Sequence, residues 1–170
     1  MEEIQGTFKF KNDDVKKPDT YLGARLQEKS INGRKCWTMT SVDYINAAVK
    51  NVKEALTKKR WNLPSKVTTP MPTSYAPELD STPELDVEDV QYYQELIGML
   101  RWGTEIGRVD VLHEVSILSQ YQASPREGHM EQLLRIWAFL DKNPKLTLYF
   151  DPSLPSLDYG NFTTKRAQKV

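Results

Sequence analysis

The chain of 170 residues carries 23 Lys and Arg against 23 Asp and Glu, and 39% of it is hydrophobic, which suits one domain or two small ones with a buried core. Its only cysteine, Cys36, excludes an internal disulfide framework and favours a reducing compartment. Because no apolar run approaches the ~18 residues of a membrane span and no signal peptide opens the chain, we expect a soluble, intracellular protein without membrane contact.

The balanced charge conceals a segregation along the chain. Residues 1–70 carry 14 Lys and Arg against 8 Asp and Glu, whereas residues 71–100 carry seven acidic residues and no basic one. A basic section can attract phosphates, although charge alone favours a solvated basic face. Charge therefore leaves nucleic-acid binding open.

The first predicted element is a small antiparallel sheet. Side chains alternate along TYLGARLQEK as in a strand, and Asn32-Gly33 supplies the positive-φ turn that closes a hairpin against KCWTMT. A helix is predicted next, for residues 41–58, because Thr40 and Asp43 have the spacing of a capping box.

This helix has two distinct faces. The ridge formed by Asn46, Lys50, Lys53 and Thr57 shares one face, because these residues are separated by steps of four, three and four. The apolar side chains are expected to pack inward. They are Tyr44, Ile45, Ala48, Val49, Val52 and Leu56.

Four regions follow from these patterns. Residues 1–60 form the hairpin and first helix, 61–86 a proline-rich extended linker, 87–151 a helical bundle with a final strand at 146–151, and 152–170 a frayed tail. The predicted fold class is α+β, with a small N-terminal antiparallel sheet before a mainly helical bundle and a short C-terminal strand.

Apolar stripes predict three helices in the bundle. Gly107 is expected to end the first in the left-handed conformation, and Gly98 and Gly103 to let neighbouring backbones approach closely. Ser124, with Glu127 three residues later, is expected to open the third. The stripes contain Tyr93, Leu96, Ile97 and Leu100, then Val111, Val115 and Leu118, then Met130, Leu133, Leu134, Trp137 and Leu140.

No cluster of residues predicts a catalytic or metal centre. His113 and His129 each neighbour a glutamate but lack the spacing of a zincin helix, so polar surface residues are favoured over a zinc hydrolase site. Asp13-Asp14 has no third carboxylate nearby for two-metal catalysis, and Cys36 has no adjacent base.

Six segments occur in an order and spacing that resemble one known family. They are TYLG at 20–23, WTMTSVDYINAAVKNV, TPM at 69–71, YYQELIGMLRWGTEIGRVDVLHEVSILSQY, SPREGH and LLRIWAFLDKNPKLTLYFD, and they extend from about residue 18 to 159. The family is the reverse transcriptase of Ty1/copia-type retrotransposons. It often has Thr-Arg-Pro-Asp-Ile where this chain has residues 107–111; the Arg and Asp match and the Pro does not.

The resemblance implies roles in holding nucleic acid. Tyr21, Leu22 and Gly23 resemble the primer-grip hairpin, which holds the primer strand near its end. The helix 41–58 resembles the first thumb helix, so that its ridge would be a track for the nucleic-acid backbone. Such a track positions a duplex without reading its sequence.

The remaining roles implied by the resemblance are structural. Residues 87–142 resemble the rest of the thumb and the connection toward the nuclease domain. Arg108 and Asp110 match an Arg-x-Asp step of the family and are expected to form a structural ion pair beside Gly107.

The carboxylates with which the family polymerises, including a Tyr-x-Asp-Asp motif upstream of the hairpin, and those of ribonuclease H are not found. We therefore expect a truncated fragment of an RNA-directed DNA polymerase without catalytic residues, metal or cofactor of its own, so that Mg²⁺ would serve only the complete polymerase. Its partners would be an RNA–DNA or DNA primer–template and the missing palm and ribonuclease H domains of a parent polyprotein. The alternative is a non-catalytic interaction remnant that docks on a missing polymerase or nuclease domain.

Overall fold

The computed structural model describes residues 17–152, in which an antiparallel sheet lies beside a bundle of helices. Strands come first along the chain, helices follow, and a short strand ends the described part, which confirms the predicted α+β class. Most of the tail predicted at 152–170 and the acidic pair Asp13-Asp14 lie outside the described residues.

The strands and helices alternate little along the chain. The strands are β1 (Thr20–Tyr21), β2 (Ala24–Ile31), β3 (Arg34–Thr40) and β4 (Leu148–Phe150), and the helices are α1 (Val42–Lys59), α2 (Val87–Glu105), α3 (Leu112–Ser119) and α4 (Glu127–Lys142). The strand order is β1-β2-β3-β4, and all neighbours are antiparallel. Two tight turns connect the first three strands, whereas β4 joins the sheet only after the helical bundle.

Both tight turns place two successive residues at positive φ. Asn32 (51°) and Gly33 (79°) close the β2–β3 hairpin as predicted. Leu22 (52°) and Gly23 (93°) form a second such turn between β1 and β2. The prediction of one continuous strand through TYLGARLQEK is therefore wrong, because two adjacent positive-φ residues reverse the chain.

A hydrophobic core joins α1 to α2, α3 and α4 and contains the predicted apolar stripes. Its largest buried rings are Trp137 and Tyr93, and the Tyr93 hydroxyl donates to the carbonyl of Leu118 at 2.8 Å. In the sequence, α1 precedes the segment 61–86 and the other helices follow it. Residues on both sides of the predicted linker therefore share one core. The division into domains stays a prediction. The buried aliphatic members are Ile45, Ala48, Val49, Val52, Leu56, Leu96, Ile97, Leu100, Val111, Val115, Leu118, Met130, Leu133, Leu134, Ile136 and Leu140.

The proline-rich segment runs along α4 and is held through its carbonyl oxygens. Prolines remove N–H donors but leave acceptors, so a helix rich in donor side chains is a suitable partner. The residue numbers of the partners fall along the segment as they rise along α4, so the segment and the helix are antiparallel. The contacts join Arg126 to Thr82 (2.6 Å), His129 to Pro77 (3.1 Å), Arg135 to Thr69 (3.2 Å) and Lys142 to Ser65.

Asp80 lies against the start of α4 and accepts hydrogen bonds from its own segment, whose Thr82 hydroxyl accepts from the N–H of Gly128 at 2.8 Å. Burial opposes ionisation, but hydrogen bonds from the hydroxyls of Thr82 and Tyr75, both 2.6 Å long, hold the pKa of this carboxyl below its usual value. A Cβ at Gly128 would overlap the carboxylate. A larger residue at 128 would therefore displace the Asp80 carboxylate from its hydrogen bonds with Thr82 and Tyr75.

The capping box predicted for α1 is absent. Ser41 is the N-cap residue, and no side chain caps the helix. The hydroxyl of Thr40 instead donates to the carbonyl of Leu146 (2.7 Å), and the carboxylate of Asp43 accepts from Arg25 (2.6 Å). Both side chains that could have capped the helix thus join it to the sheet and its flanking segment.

His129 lies in the interior, so the prediction of a polar surface position is wrong for this residue. Its Nδ1 accepts from the N–H of Arg126 at 3.0 Å, so Nε2 carries the proton and donates to Pro77. The ring stacks on Tyr121 with 4.1 Å between centroids. With this arrangement the N-cap residue of α4 is Arg126, two residues after the predicted cap Ser124.

Gly103, but not Gly98, permits a close approach. A Cβ at Gly103 would lie 3.2 Å from Cδ1 of Ile45 on α1, whereas nothing lies within 4 Å of a Cβ at Gly98. Gly107, which follows the last residues of α2, has a φ of 133°, in the region predicted for it.

We expect Gly107→Val to lower the free energy of unfolding by ~1 kcal/mol or more, because a β-branched residue fits positive φ poorly. Gly98→Ala is the matched control: it adds a methyl group in open space within a helix and should raise the free energy by about 0.5 kcal/mol or more. Urea denaturation of both variants measures these changes. An unchanged midpoint for Gly107→Val would contradict the assignment.

Candidate nucleic-acid interface

The turn between β1 and β2 projects from the sheet. The side chains of Tyr21 and Leu22 are 60% and 55% exposed. Nothing lies within 4 Å of a Cβ at Gly23, so glycine serves the backbone angle here rather than close packing. These three residues, the hairpin tip, present apolar groups and main chain to the outside.

An ion pair joins the hairpin tip to α1. The guanidinium of Arg25, two residues after the tip, lies 2.6 Å from the carboxylate of Asp43 in the first turn of the helix. Both side chains are more than half exposed, so the pair contributes at most about 1 kcal/mol to stability. The contact shows that β2, directly after the hairpin tip, lies next to the first turn of α1, where the ridge begins.

The ridge predicted on α1 lies along one exposed helix face. Asn46, Lys50, Lys53 and Thr57 together line a shallow groove of about 370 Å³. Two carboxylates, those of Glu54 and Asp141, line the same groove. The groove is therefore of mixed charge rather than purely basic.

Both lysines of the ridge have acidic neighbours. Lys53 lies 2.7 Å from Asp141, and Lys50 lies 3.9 Å from Glu54. Glu54 follows Lys50 by four residues and could have been found from helical spacing. Asp141 could not, because it comes from α4, 88 residues further along the chain. Exposed pairs of this kind are weak, so a phosphate can replace the carboxylate at small cost.

Two further cations at the end of α1 were missed by the sequence reasoning. Lys58 and Arg60 are exposed and have no acidic partner among residues 17–152. Lys59 differs: Asp89 and Glu88 accept from its ammonium at 2.8 and 2.9 Å and hold its pKa above the usual value. The signal for Lys58 and Arg60 was the run Lys-Lys-Arg at the end of the predicted helix.

Arg108 and Asp110 form a bidentate pair in which the guanidinium is buried and the carboxylate is partly exposed. Nε and Nη2 of Arg108, which is 1% exposed, donate to the two carboxylate oxygens at 2.9 and 2.8 Å. Its Nη1 donates to the carbonyl of Asn143 at 2.7 Å. The guanidinium thus connects the corner between α2 and α3 to the end of α4.

The described part of the chain shows no centre for metal chemistry. Between residues 17 and 152, no three His, Cys, Asp or Glu side chains are grouped as metal ligands. The buried Cys36 thiol donates to the carbonyl of Lys29 at 3.4 Å. Within the same range, no helix combines the length and the hydrophobicity needed to cross a bilayer.

Arg108→Ala should lower the free energy of unfolding by about 2 kcal/mol, because it removes three hydrogen bonds of a buried guanidinium and the packing of its side chain. Arg101→Ala removes the same charge from an exposed position on α2 and should change the free energy by less than about 0.5 kcal/mol. Thermal and urea unfolding measure both. Equal stability of the two variants would show that the Arg108 guanidinium does not stabilise the corner.

Comparison with known proteins identifies one relative. The putative transposon Ty5-1 protein of Saccharomyces cerevisiae is 30% identical over 127 residues, which is 75% of this chain and 37% of that protein. No family model matches the sequence, and no solved structure matches it. The chain thus spans little more than a third of the length of its relative, and it is related to a protein of a retrotransposon.

Proposed function

We propose that this chain belongs to a Ty1/copia-type reverse transcriptase and holds primer–template nucleic acid with the hairpin tip and α1. One observation carries the proposal. The two segments that resemble the primer grip and the first thumb helix are exposed and lie side by side, joined by Arg25 and Asp43. Relatedness to a retrotransposon protein supports it independently of this geometry.

In this proposal the ridge of α1 follows the backbone of the duplex. Lys50 and Lys53 contact phosphates, and the hydroxyl and amide groups beside them can add hydrogen bonds to phosphate or sugar oxygens. Lys58 and Arg60 extend the positive charge to the end of the helix. These contacts position the duplex without selecting a sequence, as a polymerase requires.

Binding exchanges one set of ion pairs for another. A phosphate near Lys53 replaces the carboxylate of Asp141, which lies at 2.7 Å in the free protein. Release of counterions from the nucleic acid favours this exchange, and added salt weakens it. The carboxylate therefore competes with nucleic acid and reduces the affinity of the ridge.

The hairpin tip contacts the primer strand in a different way. Tyr21 and Leu22 offer apolar surface to sugars and bases, while Gly23 leaves space for the backbone of the strand. In this proposal residues 17–152 act by holding nucleic acid. The chemistry of polymerisation would come from the palm of the complete enzyme.

The double variant Lys50→Ala with Lys53→Ala tests the ridge. Binding of a primer–template hybrid, measured by fluorescence anisotropy at several salt concentrations, should weaken, and the slope of log K against log[salt] should fall by about one unit for each lysine. Arg101→Ala controls for the loss of positive charge elsewhere. An unchanged affinity and slope in the folded double variant would remove α1 from the binding surface.

Asp141→Asn provides a test with the opposite sign. It keeps the shape of the side chain but removes the charge that pairs with Lys53, so hybrid binding should tighten by a few-fold. Affinity equal to that of the unchanged protein would show that Lys53 does not meet a phosphate.

The second candidate is an interaction module that docks on a polymerase or nuclease domain without affinity for nucleic acid. The observation in its favour is the pairing of Trp37 with Phe150 on adjacent strands, both partly exposed. Neighbouring charge is neutralised there, since Glu28 pairs with Lys17 and Lys35. A failure of the hybrid to bind at low salt would favour this candidate.

A further inference from the structure

The two faces of the sheet differ beyond the part that packs on the helices. In an antiparallel sheet, directly paired residues share a face and successive residues alternate. The pairs Lys29 with Cys36 and Ile31 with Arg34 therefore lie on one face. Tyr149, paired with Thr38, lies on that face as well.

These side chains line a groove of about 580 Å³ at the end of the sheet farthest from α1. It is called the tip groove here and lies at the opposite end of β2 from the hairpin tip. Its volume is in the range of sites that enclose a small organic group. Tyr149 is 55% exposed and Ile31 38% exposed, so the groove offers an accessible ring beside an apolar side chain.

The charge of the tip groove favours an anion. Lys29 and Arg34 line it, and neither has an acidic partner among residues 17–152, whereas the cations of the opposite face pair with Glu28. Asp151 also lines the groove and offsets one of the two positive charges. The opposite face also carries exposed rings, those of Trp37 and Phe150, but its cations are paired with Glu28. An exposed ring beside cations without an acidic partner therefore distinguishes the tip groove.

We propose that the tip groove binds single-stranded nucleic acid, with a base stacked on Tyr149 and phosphates held by Lys29 and Arg34. An exposed aromatic ring flanked by free cations is the arrangement with which proteins bind single strands without sequence preference. A duplex does not suit the groove, because its bases are stacked within the helix and unavailable to the ring. The site is separate from the proposed duplex interface on α1.

Anisotropy with a fluorescent oligothymidylate and the full chain tests the proposal. Tyr149→Ala should weaken binding about tenfold, which corresponds to the loss of one stacked base. Lys29→Ala with Arg34→Ala should lower the salt slope by about 1.4, the value for two phosphate contacts on a single strand. Both variants should bind a blunt primer–template hybrid as the unchanged protein does.

The opposite face supplies matched controls. Phe150→Ala removes the neighbouring exposed ring, and Lys35→Ala removes a cation that pairs with Glu28. Both should leave oligothymidylate binding unchanged. Equal binding by the Tyr149 and Lys29/Arg34 variants and the unchanged protein would overturn the proposal. So would a sedimentation experiment in which Tyr149→Ala abolishes self-association but not oligonucleotide binding. If the unchanged protein binds oligothymidylate but not the hybrid, the result counts against the proposed function and not against the tip groove.

Discussion

The buried guanidinium of Arg108 determines how the helices and the sheet meet. It donates to Asp110 in the corner between α2 and α3 and to the carbonyl of Asn143, where α4 ends. From Asn143 the chain passes to β4, which pairs with β3. A charge this deeply buried is stable only when its donors are satisfied, so the corner, the end of α4 and the path into β4 depend on one another.

The position of the candidate interface follows from this junction. Gly107, two residues after α2, lies close to Ser41 at the start of α1 and to Leu148 of β4: a Cβ there would be 3.6 Å from the Ser41 hydroxyl and 4.0 Å from Cδ1 of Leu148. The start of α1 is thereby fixed against the sheet, and Arg25 then connects the hairpin tip to the same helix turn. The hairpin tip and the start of α1 are thus both connected to this corner.

Periodicity and turn chemistry were sufficient for the class of fold and for most helices. The apolar stripes of α1, α2 and α4 are buried, and Asn32-Gly33 closes its hairpin, because these features depend on local backbone geometry. The capping of α1 could not be predicted from neighbouring residues. The side chains of Thr40 and Asp43 contact the carbonyl of Leu146 and the guanidinium of Arg25, which are distant in sequence. The burial of His129 depends on the segment around Pro77, which composition alone indicated only as extended.

The candidate site shows the same division. Helical spacing placed Asn46, Lys50, Lys53 and Thr57 together, and they line one groove. The position of the Asp141 carboxylate could not be predicted from the sequence, because the tertiary packing of α4 against α1 brings it to Lys53. Its presence changes the physical account of the ridge from a row of free cations to a set of ion pairs that nucleic acid must displace.

The most direct test of the central claim, that the hairpin tip and α1 hold a duplex, is a map of backbone amide shifts. The full chain, labelled with ¹⁵N, would be titrated with a primer–template RNA–DNA hybrid at low salt. The account predicts saturable shifts at residues 21–25 and 46–60 and none in α3. Shifts confined to other surfaces, or none at saturating hybrid, would contradict it.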